Sequence, residues 1–324
     1  MAISILHFRH NNANQWGVLQ GDYIVPLQQR CTTTAEFIQT YSISAIRSEL
    51  NSGAARTLTL SEVTVLSPVT RNQQFLCQGA NYRQHMIESG MDPDPKRFNM
   101  FFTKASSCIV PADSPLEKPD FVQFLDYEVE LGLVLRQDIA HAIAVNEANL
   151  KQYVAGLVIV NDYSARDIQI PQMQFYKGKS YRTFGPVGPY LCLLDDDDYA
   201  LIRQLNLTLT VNGEVRQQDS TANLVFGPEE TLTEWSGVHD LYAGDLIATG
   251  TPAGCALAIP SPGKQRVGAL LPEALKWKVF MKVQAQRSQY LKHGDVVVSA
   301  IRSACGTLNL GEQRNVVVPA KTRA

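Results

Sequence analysis

The stretch Phe124–Gly132, FLDYEVELG, constrains this chain more than any other. Apolar and acidic residues alternate along it. The spacing predicts a β-strand with Leu125, Tyr127, Val129 and Leu131 on one face and Asp126, Glu128 and Glu130 on the other. Residues two apart in a strand share a face, so Glu128 and Glu130 are neighbours. Two carboxylates held that close repel unless a cation or a proton lies between them. Oxygen clusters of this kind bind hard divalent ions, Mg²⁺ or Mn²⁺ first, with Ca²⁺ as a further option. An isolated E-x-E is more often the solvated face of an edge strand, so the assignment needs a further ligand.

Thirty residues downstream, YVAGLVIVND reads as a helix end followed by an apolar run, LVIV, with no polar face. Such a run predicts a strand buried on both sides. Asp162 at its end brings a third carboxylate from a separate strand. Glu128, Glu130 and Asp162 then make a half-shell of oxygen ligands with positions left for water and substrate.

With these residues in place, the chain resembles the fumarylacetoacetate hydrolase family. The segments GANYRQHMIE, EVELGLVL, VNDYSARDIQ and ATGTPAG come in the family's order and approximate spacing, over roughly residues 65–320. Pattern alone predicts a mainly β chain with a few helices. The resemblance sharpens this to an α+β protein, the family's mixed β-roll, preceded by a small N-terminal domain. It also implies a homodimer and a small 2-oxo acid as substrate.

With 45% hydrophobic residues among 324, the chain can bury a large core. Lys plus Arg is 29 against 31 for Asp plus Glu, with no basic tract, which argues against nucleic acid or an anionic membrane as a partner. Six scattered cysteines, without C-x-x-C spacing or a signal peptide, fit reduced thiols and a cytoplasmic location. No apolar run is long enough to span a membrane.

Residues 1–30 read as short strands with a hairpin at Gly21-Asp22, and 33–51 as a helix capped by Thr33 or Thr34. His7 and His10 fall on opposite faces of a strand and are no ligand pair. The boundary between an N-terminal domain, 1–67, and the main domain, 68–324, is placed near Ser67-Pro68. After a strand at Gln74–Gln78, the helical RQHMIES is stopped by Gly90. Its His85 and Glu88 are spaced i, i+3 and share a face. Ordinarily that is a surface pair, but the resemblance implies a water-activating dyad. The turn residues Asp92–Pro95 make the segment from about Asn81 to Asp94 a candidate lid.

Lys104 follows the next strand and is a second-tier candidate for substrate binding. Asn146 caps a short helix ending near Gly156. The GKS at 178–180 is not a phosphate loop, since Met173 stands where that motif needs glycine. The resemblance instead makes Lys179 the family's catalytic lysine, a cation placed to stabilise an enolate. Arg166 and Gln169, four and seven residues past Asp162, are candidates for gripping a substrate carboxylate. The turn Thr249-Gly250-Thr251 offers hydroxyl and N–H donors for the same task. A pairing of Arg166 with Asp167 or Asp162 is the alternative. Asp195–Asp198 reads as a solvated turn, and Asn212-Gly213 as the turn of an alternating hairpin.

The chain departs from the family at Cys255-Ala256, where Val-Gly is usual. A long insert follows, with Leu270–Leu291 reading helical and Leu275, Val279 and Val283 forming a stripe. The reaction expected first is metal-dependent hydrolysis of the C–C bond of a 2,4-dioxo acid, of acylpyruvate, fumarylpyruvate or fumarylacetoacetate type. The alternative on the same scaffold is a decarboxylase or tautomerase of a 2-oxo dicarboxylic acid, such as oxaloacetate or a hydroxymuconate-derived intermediate.

Overall fold

Every residue of the strand Val154–Asn161 is buried in the computed structural model, as its unbroken apolar run predicts. The structure describes residues 1–324 except 54–56, 93, 95–97, 261, 262, 264–267, 269 and 322–324. Leu157 and Ile159 pack into one core with Leu207, Leu209 and Ile301, while Val158 and Val160 pack into another with Trp16, Phe37 and Ile46. Side chains of this size each contribute roughly 1.5–3 kcal/mol when fully buried.

This strand pairs antiparallel with Val129–Leu135 on one side and with Leu191–Leu193 on the other. Val129–Leu135 pairs onward with Leu246–Ala248, which runs parallel to Phe75–Gly79, and Met100–Lys104 closes that edge. At Gly132 an added Cβ would lie 2.7–2.9 Å from Val158, Val160 and Leu246, so only glycine lets these strands pack. A second sheet of five strands, built from 205–220, 296–319 and Leu116–Lys118, covers one face. Its hairpin turns at Asn212-Gly213, both with positive φ, as the sequence predicts. The architecture is the mainly β, α+β one expected.

The first strand, Ile3–His10, pairs with Leu191–Leu193, so the large sheet continues into residues 1–67. Gly21-Asp22 turns the predicted hairpin there. His7 is buried, stacked on Trp16, with Nδ1 bonded 2.8 Å from the Ser67 carbonyl.

Four local expectations are corrected. The helix expected over 33–51 is two helices, Thr34–Thr40 and Ile43–Asn51, because Ser42 caps the second by accepting from Ala45 N–H. Thr33 caps the first, with Glu36 completing a capping box. The helix after Asn146 covers only Leu150–Tyr153, since the strand begins at Val154. Asp195–Asp198 is not a free turn: Asp195 caps a 3₁₀ helix, Asp196–Gln204, and binds Arg47 and the N-terminal ammonium, while Asp198 is buried. The insert helix is Glu273–Gln284, and its stripe of Leu275, Val279 and Val283 is exposed in the single chain. Among the described residues no helix is long and apolar enough to cross a membrane.

Candidate active site

The stretch 124–132 is not one strand. Leu125–Asp126 leaves to pair with Ser164–Ala165, and Val129–Leu135 pairs with 154–161. Tyr127 and Glu128 form the step between them. Glu128 N–H donates to Asn161 Oδ1 at 3.0 Å, and Asp162 N–H to the Glu128 carbonyl at 2.8 Å. Because Val129 faces Asn161 across the ladder, Glu128 and Asp162 come side by side at its end. Glu130 lies one pleat on. Each of the three offers an oxygen within 4.8 Å of the others, and all three are buried.

Three buried cations surround them. Lys179, at the end of the short helix Phe175–Lys179, puts Nζ 2.6 Å from Glu128 Oε2, 2.6 Å from Asp162 Oδ2 and 2.8 Å from Ser164 Oγ. Lys104 Nζ donates to Asp162 Oδ1 at 2.5 Å and to the Phe184 carbonyl. Arg166 Nε donates to Asp126 at 2.8 Å, one Nη to Glu128, and the other Nη to Gln169 Oε1 at 2.8 Å. Its partners are thus Asp126 and Glu128, and Asp167 instead accepts from the backbone at Gln123.

Asp126 joins the site although spacing alone does not single it out; the signal was its place in the alternation with Glu128 and Glu130. It accepts from Arg166, Tyr127 N–H, Ala256 N–H and Leu257 N–H, which ties the Cys255-Ala256 departure directly to the acidic centre. Gln217 is a second such residue. Its amide bridges Val129 N–H and Thr251 Oγ1, a link between distant strands that no local pattern reveals.

In the Thr249–Thr251 turn both hydroxyls and the Gly250 N–H are committed within the protein. Thr249 Oγ1 donates to the Leu131 carbonyl, Thr251 Oγ1 to the Val129 carbonyl, and Gly250 N–H to Glu130 Oε2 at 2.9 Å. Gly250 has φ +92°, and a Cβ there would meet Asn81 at 2.9 Å, so this close approach needs glycine.

Burial pushes the Glu128 carboxyl up, but Arg166 and then Lys179 outweigh it and hold it at about 2. Glu130 lies well above the usual carboxylate range, through burial and then the charges of Asp162 and Glu128. Burial works against the charge on Lys179, yet Asp162 and Glu128 raise it, so it is a firm cation. Four buried carboxylates, with Asp126, face three buried cations. Glu130, the carboxyl left without a cation among the described residues, favours its proton, and an all-oxygen donor set in which a metal would displace that proton fits a hard divalent ion held by Glu128, Glu130 and Asp162.

The centre opens into a cavity of about 250 Å³ whose walls include Arg166, Gln169, Lys179, Thr251, His85 and Glu88. Met91, Met100, Phe102 and Ile170 make its other side apolar. His85 and Glu88 lie on the helix Arg83–Glu88, which Asn81 anchors through its side chain to Phe226 and the Thr249 carbonyl. His85 and Glu88 do not hydrogen-bond to each other among the described residues. Among those residues His85 Nδ1 is buried without a partner, and Glu88, exposed, accepts from Gly254 N–H at 3.2 Å. Burial, and then Arg166, lowers the His85 imidazole below its ordinary value, against the pull of Glu128. Part of the Asp92–Pro95 turn lies outside the described residues.

Fold and site together define an α+β protein built on two large sheets, with a buried carboxylate centre at one end of the larger, open to a small cavity. The family model described as fumarylacetoacetate (FAA) hydrolase C-terminal matches residues 74–318, and the chain belongs to the fumarylacetoacetate hydrolase family, an enzyme family. It is 34% identical over 252 residues to a mitochondrial oxaloacetate tautomerase of Bos taurus, covering 76% of this chain and 77% of that one. An oxaloacetate tautomerase of Bacillus subtilis is 34% identical over 211 residues, 64% of this chain and 68% of its own. Among solved structures, a fumarylacetoacetate hydrolase from psychrophilic Exiguobacterium antarcticum superposes with a TM-score of 0.74 at 28% identity, covering 98% of this chain and 100% of that one.

Proposed function

We propose that the protein catalyses the divalent-metal-dependent keto–enol tautomerisation of a 2-oxo dicarboxylic acid of the oxaloacetate type. The observation that carries this is the disposition of the cavity's two functional ends. Lys179 is a firm cation at the carboxylate centre, whereas His85 is a neutral imidazole whose Nδ1 has no orienting carboxylate, since Glu88 is turned to Gly254. The names of the bovine and bacillar relatives support the same reading.

Glu128, Glu130 and Asp162 would hold the metal, which supplies Lewis-acid polarisation of the 2-oxo group. The chain's own residues do the rest. Lys179, kept protonated by Glu128 and Asp162, stabilises the negative charge that grows on the 2-oxygen as the C3–H bond breaks. The neutral His85 takes that C3 proton and, as the imidazolium, returns it to the 2-oxygen, which completes the enol and leaves His85 neutral again; the reverse sequence returns the ketone. No water is consumed, so no residue has to activate one. The apolar side of the cavity limits hydration of the intermediate charge. We carry the homodimer over from the family resemblance, and light scattering would check it.

Hydrolysis of a 2,4-dioxo acid is the second reading. It is favoured by the presence of both His85 and Glu88 in the cavity wall, and by the likeness to the Exiguobacterium antarcticum fumarylacetoacetate hydrolase. The two readings part at Glu88. For tautomerisation, Glu88→Gln should stay within about threefold of wild type while His85→Ala loses at least about 10²-fold in kcat, the low end for a general base. The decay of enol absorbance of oxaloacetate, with Mg²⁺ and with chelator, reads both variants. Equal losses in the two variants, with faster cleavage of acetylpyruvate by wild type, would sink the tautomerase reading.

A further inference from the structure

A second cavity, of about 440 Å³, adjoins the first and shares Glu88, Cys255, Leu257 and Ile259 with its walls. Two guanidinium groups from separate elements line it: Arg216 on the strand Glu214–Ser220, and Arg287 just beyond the insert helix. Both are half-buried. Among the described residues Arg216 Nε is buried without a hydrogen-bond partner, and Arg216 pairs with the largely exposed Glu214 at 3.0 Å. Arg287 spends Nε on the Ala256 carbonyl at 2.6 Å, and its terminal nitrogens make no hydrogen bond among the described residues. The buried Tyr127, whose hydroxyl also lacks a partner among the described residues, backs this wall.

The insert builds the partition between the cavities. Gln284 Nε2 holds the Ala258 carbonyl at 2.8 Å and Arg287 that of Ala256, while Asp126 holds the N–H groups of Ala256 and Leu257, so Cys255–Ile259 is tied both to the insert and to the acidic centre. At the junction stands Glu88, exposed and joined to Gly254 N–H by a single 3.2 Å contact. Guanidinium donors left over in a partly desolvated cavity call for an acceptor carrying negative charge, and a carboxylate meets their fork in two-pronged fashion.

We propose that the second cavity is a carboxylate subsite, in which Arg216 and Arg287 receive the distal carboxylate of an elongated 2-oxo dicarboxylate whose 2-oxo end lies at the acidic centre. It rests on the reading of the first cavity as a 2-oxo acid site. An elongated substrate passes the Glu88–Gly254 contact, and oxaloacetate is a short member of the class that leaves the subsite unused.

The test is calorimetry on the full chain with Mg²⁺ and three probes: 2-oxoadipate, 2-oxohexanoate, which lacks only the distal carboxylate, and oxalate, which reaches the acidic centre alone. Wild type should bind 2-oxoadipate at least about tenfold more tightly than 2-oxohexanoate. Arg287→Gln and Arg216→Gln should each erase that preference and leave oxalate affinity unchanged, which also reports that the variants are folded. Arg216→Lys should keep part of it. Equal affinities of wild type for the two six-carbon acids, binding of neither, or variants that weaken oxalate equally, overturn the subsite. Oxaloacetate tautomerisation is measured on the same preparations. If it is absent while the distal-carboxylate preference holds, the proposed reaction fails alone; if it is present without the preference, the subsite fails alone.

Discussion

The acidic centre and the helix Arg83–Glu88 face each other across one cavity, yet they are held in opposite ways. At the centre every charged group is buried and paired: Lys179 with Glu128, Asp162 and Ser164, Lys104 with Asp162, and Arg166 with Asp126 and Glu128. On the helix, His85 Nδ1 has no partner among the described residues, Glu88 is exposed, and the ion pair of Arg83 with Asp94 lies in solvent, with side chains 52% and 73% exposed. Breaking one of the buried pairs strands a charge where water cannot reach it, whereas breaking the exposed one hands both partners to water. A site that binds a chelating acid needs the first side rigid and gains from a second side that adjusts.

The largest effect expected from this contrast is at Asp162, which takes one oxygen to Lys104 and the other to Lys179. Asp162→Ala should cost roughly 3–5 kcal/mol of unfolding free energy in urea, the range for removing one member of a buried pair. It should also abolish Mn²⁺ binding by calorimetry, as should Glu130→Ala. A variant of wild-type stability would mean that the two lysines find other partners, and the picture of a rigid centre would have to go.

Lys179 comes next. Lys179→Gln keeps a hydrogen-bonding group but removes the charge beside the developing enolate. It should lower kcat about 10²–10³-fold with KM little changed, comparable to loss of an oxyanion donor. A fall confined to KM would make Lys179 a binding group only.

The pH profile then separates the two sides. The reaction requires neutral His85, and burial holds its folded pKa below the ordinary 6.5. Activity should therefore be level above about pH 6.5 and fall only as pH drops through the lowered value. The same sign applies to stability: the neutral imidazole's contribution is present above the unfolded pKa and lost as the pH falls. Steady-state kcat/KM against pH reads it, and an acid limb at or above about 6.5 would show that the neighbouring carboxylates, Glu128 first, and not burial, govern His85.

Much of the rigid side is legible from local pattern. Period-two alternation puts Asp126, Glu128 and Glu130 on one side, and that outcome survives the break of the strand at Tyr127-Glu128, where Leu125–Asp126 turns off to a different partner. The unbroken LVIV run foretells a strand buried on both faces. What pattern cannot supply is long-range pairing: Gly250 N–H on Glu130, Ala256 N–H on Asp126, and Val129 N–H on Gln217 all join residues 88 to 130 apart in sequence. Periodicity also names a helix face without naming what covers it, so Leu275, Val279 and Val283 form the expected stripe and are nonetheless exposed. Nor does spacing i, i+3 guarantee a bond, as His85 and Glu88 show by facing the same cavity without bonding to each other.

The smallest expected effect is at the exposed pair on the adjustable side. Arg83 and Asp94 form their ion pair at the surface, and each draws the other's pKa toward the charged form through that hydrogen bond. In water the Coulomb gain is largely offset by the entropy of fixing two side chains, and at about 1 M salt the Debye length shrinks to roughly 3 Å. Arg83→Gln should therefore unfold in urea at the wild-type midpoint within error, in low salt and in high. Because Arg83 opens the helix that carries His85 and Glu88, its loss should still change how often that helix opens. Hydrogen exchange over 81–92 should then quicken at low salt and converge with wild type at high salt. A shifted global midpoint would mean that this helix is held as firmly as the acidic centre it faces, and the contrast between the two sides would collapse.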